Sequence, residues 1–259
     1  MKVIAVFGEE SLQRALAARI HERVSLAHVA RIQLAPKWKR RWLQSLASVT
    51  LGRGLRHAWG ALQRHYDRRF PDWPPVETSL HPSANNIALL RLIEREKPNL
   101  VLVSGTDLLK RSTLERFGTR VMNLHTGISP YIKGGPNCTN WALTLGEFDL
   151  IGNTIMWIDP GIDSGAIIAT ERTPLTGRES LLELHLKVIE HAHDLYSRAV
   201  QAFAAGKDLP AVPQSSVAEG RLFLSREWNG QAIVRAAFNH RFRYRPFKSR
   251  PEIRLVPLD

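Results

Sequence analysis

The sequence predicts a doubly wound α/β fold, in which helices cover both faces of a mostly parallel sheet. Short apolar runs typical of buried strands recur along the chain, and segments with a helical period of apolar residues lie between them. The chain has 259 residues, of which 44% are hydrophobic and 23% are charged. These values exclude wholesale disorder and suit a large core.

The N-terminal part supplies the first predicted strand and helix. Residues 3–7 form an apolar run, Ser11 is placed to cap the helix that follows, and residues 28–32 form a second strand. A basic segment, residues 36–75, then interrupts the alternation. The spacing of Trp38 and Trp42 in this segment favours a helix.

The middle of the chain returns to the alternating pattern. Residues 87–93 carry apolar residues on one helical face and are followed by Pro98, which ends the helix. The next predicted elements are a buried strand at 100–103, a short helix at 113–117 and a strand at 121–125.

Two further strands and a long helix follow. The strands are predicted at 153–158 and 166–169. Thr176 and Glu179 have the spacing of a capping box, which predicts that the long helix begins here and ends at Gly206.

The net charge of +12 is concentrated in two segments. Residues 36–75 and 221–254 each contain nine Lys or Arg and two Asp or Glu, so each carries +7, and the remainder carries −2. Both segments also contain aromatic residues, a composition that suits a nucleic-acid surface. We favour amphipathic helices whose aromatic side chains pack on the body of the protein.

Cysteine and hydropathy narrow the class of protein. Cys138 is the single cysteine, which excludes an intramolecular disulfide framework and a zinc site built on several thiolates. No apolar run approaches the length of a membrane span, and the first residues do not resemble a secretory signal. We therefore expect a cytoplasmic protein that contacts no membrane.

Three polar residues form the best candidate site. Asn123 and His125 lie two residues apart on a predicted strand and point to the same side, while Asp163 lies in a turn between two later strands. An amide can stabilise a developing oxyanion, an imidazolium can donate a proton, and a carboxylate can accept one from an attacking amine. This set suits acyl transfer to an amine.

The Asn-x-His pair, the Pro- and Gly-containing loop after it, and the sequence Gly161-Ile-Asp-Ser-Gly165 together resemble the folate-dependent formyltransferases. This family includes enzymes that formylate glycinamide ribonucleotide, methionyl-tRNA and nucleotide-linked amino sugars. The resemblance covers roughly residues 80–205 and implies a Rossmann-like formyltransferase domain.

The resemblance also implies a reaction and a set of residues. It implies transfer of a formyl group from 10-formyltetrahydrofolate to a primary amine, without a metal, by a catalytic triad of Asn123, His125 and Asp163. It implies that the folate is bound by two loops, whose residues here are Thr106, Leu108, Leu109, Asp159, Pro160, Gly161 and Ile162.

The sequence departs from the family at three places. Gly127 replaces a serine of the usual loop, and Glu9 and Glu10 stand where the purine-pathway enzyme has a glycine-rich phosphate loop. Two acidic residues there would repel phosphate, which disfavours that pathway. The segment 36–75 has no counterpart in the family.

We expect a catalytic domain at residues 1–210, containing the 36–75 insertion, and a basic extension at 211–259 that is too short for the tRNA-binding barrel of the methionyl-tRNA enzyme. The expected acceptor is a nucleotide-linked amino sugar or another small amine, which could carry phosphate. A methionyl-tRNA formyltransferase-like enzyme without the barrel is the alternative.

Two other classes stay open at this stage. A non-catalytic protein with the same fold could bind RNA through its basic segments. A hydrolase could use the Cys138 thiol with His125. His185, His191 and His193 share one helix, and we assign them packing or surface roles rather than metal binding.

Overall fold

The computed structural model describes residues 1–34, 52–118 and 120–258. The expected helix around Trp38 and Trp42 lies outside the described residues. The strands, numbered in chain order, are β1 Val3–Gly8, β2 His28–Ile32, β3 Thr78–His81, β4 Leu100–Ser104, β5 Arg120–His125, β6 Lys133–Gly134, β7 Gly152–Trp157, β8 Ile167–Arg172 and β9 Leu222–Phe223.

Helices connect most of these strands. They are α1 Ser11–Arg23, α2 Arg53–Arg69, α3 Ile87–Glu96, α4 Arg111–Phe117, α5 Cys138–Leu145, α6 Leu181–Ala204 and α7 Gly230–Phe238. None of the helices in the described ranges is long and apolar enough to cross a lipid bilayer.

The main sheet of the described residues has seven strands in the order β3-β2-β1-β4-β5-β7-β8. The first five run parallel, and β7 and β8 are antiparallel to their neighbours. The chain therefore builds outward from β1 to β3 and then crosses back to β4. In such sheets ligands bind at the carboxyl ends of the strands, where this reversal opens a crevice.

The α/β prediction is confirmed, because both faces of the sheet are covered by helices. One core cluster joins β1 and β4 to Leu16 of α1 and Leu195 of α6. Another joins the same sheet to Leu89 and Ile93 of α3 and Phe117 of α4. The strands β1 and β4 are buried along their whole length, as the continuous apolar runs predicted.

The described part of the first basic segment contains α2. Its apolar residues, Leu62 and Tyr66 among them, pack on α1 and α6, while most of its arginines are exposed. This is the amphipathic arrangement expected of the segment.

The C-terminal segment packs on the body rather than extending from it. Val212 pairs with Ile167 at the sheet, and Ile233 and Tyr244 join the core cluster that contains Trp141 of α5. Phe238 and Phe242 are exceptions among the aromatic residues, since they are 55% and 58% exposed. The domain boundary at 210/211 stays a prediction.

Two predicted helix caps are wrong. The capping box of α6 is formed by Ser180 and Glu183, not by Thr176 and Glu179. The Glu179 carboxylate is buried and accepts hydrogen bonds from the Thr176 amide (2.8 Å) and the Tyr244 hydroxyl (2.7 Å), which leaves it no capping role.

The start of α1 also differs from its prediction. Glu10 occupies the cap position without a side-chain hydrogen bond, and Ser11 is the first helical residue. The Ser11 hydroxyl instead donates to the Gln63 carbonyl oxygen (3.1 Å), which ties α1 to α2.

Candidate functional site

A cavity of about 560 Å³ lies at the carboxyl ends of β4 and β5 and is closed on one side by the turn between β7 and β8. Asn123, His125 and Asp163 all line it. The alternation of β5 places Asn123 and His125 on the same side of the sheet, as predicted. The structure therefore brings the three candidate residues together.

The turn that carries Asp163 is held from several sides. Asp163 has a φ of +46°, a left-handed conformation that is uncommon for residues other than glycine. Its Oδ2 accepts a hydrogen bond from the Gly134 amide (3.0 Å), and its carbonyl oxygen accepts one from Gln214 Nε2 (2.7 Å). Such strained residues concentrate at functional sites, where the surroundings over-determine them.

The rest of this turn is closed by its own side chains. Asp159 Oδ1 accepts hydrogen bonds from the Gly161 amide (3.0 Å) and the Ser164 hydroxyl (2.6 Å). Gly165 lies so close to the Trp157 carbonyl oxygen that a Cβ would stand 1.8 Å from it, so only glycine fits there.

His125 is buried between two oxygen atoms. Its Nδ1 lies 3.4 Å from Asp163 Oδ2, and its Nε2 lies 3.3 Å from the Ile132 carbonyl oxygen. Burial alone would lower the pKa of His125, but the Asp163 carboxylate, the neighbouring Cys138 side chain and the Ile132 carbonyl oxygen together raise it to about 10. The imidazole is therefore protonated at neutral pH, with both N–H groups directed at oxygen atoms.

The other two members of the set keep groups available to a ligand. Asn123 is half-buried, and its amide has no hydrogen-bond partner among the described residues. Both contacts of the Asp163 carboxylate use Oδ2, so within the described chain Oδ1 is left to accept a proton. The arrangement can donate hydrogen bonds to an oxyanion and remove a proton beside it.

Gly127 allows His125 and Cys138 to approach each other. A Cβ at position 127 would stand 2.7 Å from the Cβ of Cys138 and 2.8 Å from His125 Nε2, both closer than real side chains come. Cys138 is buried, and its Sγ donates to the Gly134 carbonyl oxygen (3.4 Å). Glycine at position 127, where the family has serine, is therefore required by the close packing around the His125 imidazole.

The charge of the cavity is opposite to that of the chain. Among the described residues that line it there is no lysine or arginine, whereas four carboxylates do so: Glu10, Asp107, Asp159 and Asp163. The two basic segments contribute only Trp59 and Ser225 to the described lining. The lysines and arginines of the described residues therefore lie outside the cavity.

Comparison with known proteins identifies the family. The model of the formyl transferase family matches residues 64–200, more than half of the chain. The chain belongs to the formyl transferase family.

Curated relatives of this chain include methionyl-tRNA formyltransferases. That of Syntrophus aciditrophicus is 31% identical over 134 residues, which cover 51% of this chain and 42% of that protein. That of Clostridium beijerinckii is 25% identical over 161 residues, which cover 61% of this chain and 50% of that protein. The chain thus spans no more than about half of the length of these relatives.

Solved structures share the fold of this chain over nearly its whole length. A sugar N-formyltransferase from Shewanella superposes with a TM-score of 0.59 at 12% identity, covering 99% of this chain and 96% of that one. An N-formyltransferase from Helicobacter canadensis, solved with folinic acid and dTDP-3-aminofucose, superposes with a TM-score of 0.57 at 17% identity, covering 96% and 84%.

Most residues proposed to bind the folate line the cavity. They are Thr106, Leu108, Leu109, Asp159, Gly161 and Ile162. Pro160 is exposed and is not part of the lining, because the Asp159 turn directs it outward. Leu108 and Ile162 are apolar yet 57% and 39% exposed, which leaves an apolar contact surface on both loops.

The loops beside the triad are held by residues that no sequence motif marked. Asp107 accepts hydrogen bonds from the Ser83 hydroxyl (2.6 Å) and the Ala84 amide (2.8 Å), and so fixes the loop after β4. Gln214, placed in a predicted linker, is buried and binds the carbonyl oxygens of Asp163 and Gly165 (2.9 Å for Gly165). These contacts join residues far apart in sequence, and no local pattern marks them.

Three helices also line the cavity, which the sequence did not predict. Leu12 and Gln13 of α1, Trp59 of α2, and Ile189 and His193 of α6 contribute side chains to it. The spacing of Trp59 with Leu62 and Tyr66 does mark a buried face of α2. The position of that face beside the cavity follows only from the tertiary fold.

No group of three or more His, Cys, Asp or Glu residues that could hold a metal ion occurs in the described part of the chain. His185 and His193 are buried, and burial lowers the pKa of His185 to about 4. His191 Nε2 contacts Glu171 (3.0 Å) on the other side of α6. These histidines therefore have separate environments.

Proposed function

We propose that this chain is an N-formyltransferase that transfers a formyl group from 10-formyltetrahydrofolate to a primary amine in the cytoplasm. The observation that carries the proposal is the group formed by Asn123, His125 and Asp163 in one cavity, with His125 held protonated beside the Asp163 carboxylate. A non-catalytic RNA-binding protein would have no need of this buried charge pair.

The two loops beside the triad suit a reduced folate. They offer backbone groups and the exposed apolar side chains of Leu108 and Ile162 on either side of the cavity. When bound, the folate would supply a formyl carbonyl activated by its attachment to nitrogen. The folinic acid in the Helicobacter relative supports this assignment.

We assign a role to each residue of the triad. Asn123 Nδ2 donates a hydrogen bond to the carbonyl oxygen, which becomes negative as the amine adds to the carbon, and the positive charge of the buried His125 imidazolium stabilises that oxygen electrostatically. Asp163 keeps His125 charged and, through Oδ1, accepts the proton that the amine loses. As the new C–N bond forms, the bond to the donor nitrogen breaks, and that nitrogen receives the proton.

We propose an amino sugar linked to a nucleotide, or another small amine, as the acceptor. The names of the structural neighbours support this choice. Methionyl-tRNA is the second candidate, supported by the curated relatives and by the two basic segments outside the cavity.

The test is formyl transfer from 10-formyltetrahydrofolate to a panel of amines, followed by mass spectrometry. The panel contains nucleotide-linked amino sugars, free amino sugars and methionyl-tRNA, and the controls are Asp163→Asn and His125→Ala. We expect one class to be formylated by the wild-type protein and not by the variants. Transfer to none of the amines, or equal transfer by the variants, would reject the proposal.

A further inference from the structure

The turn between β3 and α3, residues 82–86, packs against the loop that follows β4, residues 105–110. We call these segments the support turn and the folate loop, because the loop carries three of the residues proposed to bind the folate. Ala84 of the support turn and Leu109 of the folate loop are buried in the same core cluster. The support turn is therefore anchored in the fold beside the loop.

The folate loop has no helix or strand of its own. It lies between β4 and α4, and residues 106–109 take part in no backbone–backbone hydrogen bond within the described chain. Backbone that belongs to neither a helix nor a sheet must be paired by side chains or by water. The position of the loop, and of the exposed Leu108 side chain on it, therefore depends on side-chain contacts.

Asn85 of the support turn supplies several of these contacts. Its Nδ2 donates to Asp107 Oδ2 (3.0 Å) and to the Leu108 carbonyl oxygen (2.9 Å). Its Oδ1 accepts hydrogen bonds from the Lys110 amide (2.9 Å) and the Thr113 hydroxyl (2.7 Å). An asparagine side chain has two N–H donors and two lone pairs on its oxygen, so Asn85 uses its full capacity on the folate loop and the start of α4.

The chemistry of these partners fixes the orientation of the Asn85 amide. A carboxylate and a carbonyl oxygen can only accept, and a backbone amide can only donate. Rotation of the side-chain amide by half a turn would therefore break three of the four hydrogen bonds. The half-buried side chain is held in one arrangement.

Asp107 ties the folate loop back to the support turn. Its Oδ1 accepts from the Ala84 amide (2.8 Å), and its Oδ2 accepts from the Ser83 hydroxyl (2.6 Å) as well as from Asn85. The Ser83 hydroxyl in turn accepts from the Asn85 backbone amide (3.0 Å). Because linked hydrogen bonds reinforce one another, the turn and the loop form one unit.

The next residue, Asn86, has a different role. Its Oδ1 accepts from the Ala88 amide (2.9 Å), which makes Asn86 the N-cap of α3. The hydrogen bonds of the Asn85 side chain go to the other side, to the folate loop and α4. The two adjacent asparagines therefore separate the support of the loop from the stability of the helix.

We propose that Asn85 is a positioning residue for the formyl donor, and that its amide holds the folate loop in the conformation that contacts the folate. This inference rests on the proposed function for the identity of that ligand. Asn85 itself does not line the cavity, so it acts through the loop. Loss of its hydrogen bonds should weaken folate binding and leave the triad in place.

The binding test measures the Kd of folinic acid by isothermal titration calorimetry for the wild-type protein, Asn85→Leu, Asn85→Asp and Asn86→Ala. Both Asn85 variants lose the donors to Asp107 and Leu108, and we expect the Kd to rise by about 10- to 100-fold. Asn86→Ala should lower the Tm by about 2–4 °C and change the Kd by less than about threefold. An unchanged Kd in both Asn85 variants would overturn the inference.

Asn85→Asp adds a readout that general destabilisation would not move. The introduced carboxylate lies beside that of Asp107 and repels it, but once one of the two is protonated it can donate to the other. The ratio of the Kd of Asn85→Asp to that of the wild type should therefore fall by about tenfold between about pH 8 and about pH 5. The same ratio for Asn85→Leu should stay constant, and an equal pH dependence of the two variants would contradict the proposed contact.

The kinetic test follows formyl transfer in the same variants. The KM of the folate should rise in both Asn85 variants, whereas kcat at saturating folate and the KM of the acceptor should stay within about threefold of wild type. A lower kcat with an unchanged KM for the folate would contradict a role in positioning the loop.

The outcomes separate this inference from the proposed function. Folinic acid that binds equally to the wild type and the Asn85 variants rejects the inference and keeps the function. Binding that is weakened in the variants, with no formyl transfer to any amine, keeps the role of Asn85 and rejects the reaction. Absence of binding to the wild-type protein rejects both.

Discussion

The catalytic triad and the side chains that α1, α2 and α6 contribute line the same cavity but differ in their polar contacts. His125 has an oxygen atom near each ring nitrogen, and the Asp163 turn is tied to Gly134 and Gln214. Among the helix side chains, Gln13 Oε1 and His193 Nδ1 are buried without a partner in the described chain. The protein thus fixes His125 and Asp163 through hydrogen bonds, and within the triad it leaves the Asn123 amide and Asp163 Oδ1 available to a ligand.

This difference predicts opposite effects of mutation. Changes near the triad should lower kcat, because they disturb groups held in one geometry. Changes to the side chains that α1, α2 and α6 contribute to the cavity should instead affect the KM of a ligand, because these side chains lie outside the triad.

The largest effect is expected from Asp163→Asn and His125→Ala. Each removes a proton acceptor or donor, and we expect kcat to fall by about 100- to 10,000-fold. Steady-state kinetics of the formyl transfer measures this. The role of the triad is refuted if either variant keeps more than a tenth of the wild-type kcat.

Gln214→Leu should have the next largest effect. It leaves the Asp163 and Gly165 carbonyl oxygens without their donor, and displacement of Asp163 should lower kcat by about 10- to 100-fold. The matched control is Ser216→Ala in the same short turn, whose hydroxyl is exposed and donates only to the Pro213 carbonyl oxygen. Equal kcat in the two variants would show that Gln214 does not position the turn.

The pH profile tests the charge on His125. Because Asp163 raises its pKa, we expect activity to persist well above the ordinary histidine pKa of 6.5 and to fall only as pH rises through the raised value. In Asp163→Asn the carboxylate is gone and burial lowers the pKa, so the alkaline limb of the residual activity should move to lower pH. If the alkaline limb does not move in Asp163→Asn, the limb reports the titration of a group other than His125.

His193→Leu tests whether the buried, unpaired nitrogen of His193 destabilises the free protein. The substitution removes a buried, unpaired nitrogen, and the expected gain of about 1 kcal/mol corresponds to a rise in Tm of about 2–4 °C. Differential scanning calorimetry without ligand measures it. A lower Tm would mean that the imidazole has a structural role.

The smallest effect is expected from Cys138→Ala. The thiol packs beside His125 and Gly127 and has no role in the proposed transfer, so kcat should stay within about threefold of wild type. Complete loss of activity, with an unchanged Tm, would favour the thiol hydrolase hypothesis.

The strands and the candidate triad could be predicted because their signals are local. Continuous apolar runs marked β1 and β4, and the Asn-x-His pair and the Asp163 turn lie within short motifs. The predicted cap of α6 was wrong because two motifs with capping-box spacing, Thr176/Glu179 and Ser180/Glu183, follow each other in the sequence. Burial of Glu179 against Tyr244 decides between them, and only the fold shows this.

The rest of the site depends on distant contacts. Gln214 reaches Asp163 across 51 positions, and His193 comes to line the same cavity as Trp59 and Gln13 only when α6, α2 and α1 pack together. The sequence also gave no indication that the cavity is lined by carboxylates. Basic residues outnumber acidic ones in the sequence, but those in the described ranges lie outside the cavity.

The central claim is that the triad transfers a formyl group to an amine. It is tested most directly by incubating the protein with isotope-labelled 10-formyltetrahydrofolate and the amine panel, and following the label by mass spectrometry. We predict that the wild-type protein moves the label to an amine, and that folded Asp163→Asn leaves it on the folate. Label released only as formate, or transferred equally by both proteins, would contradict the account.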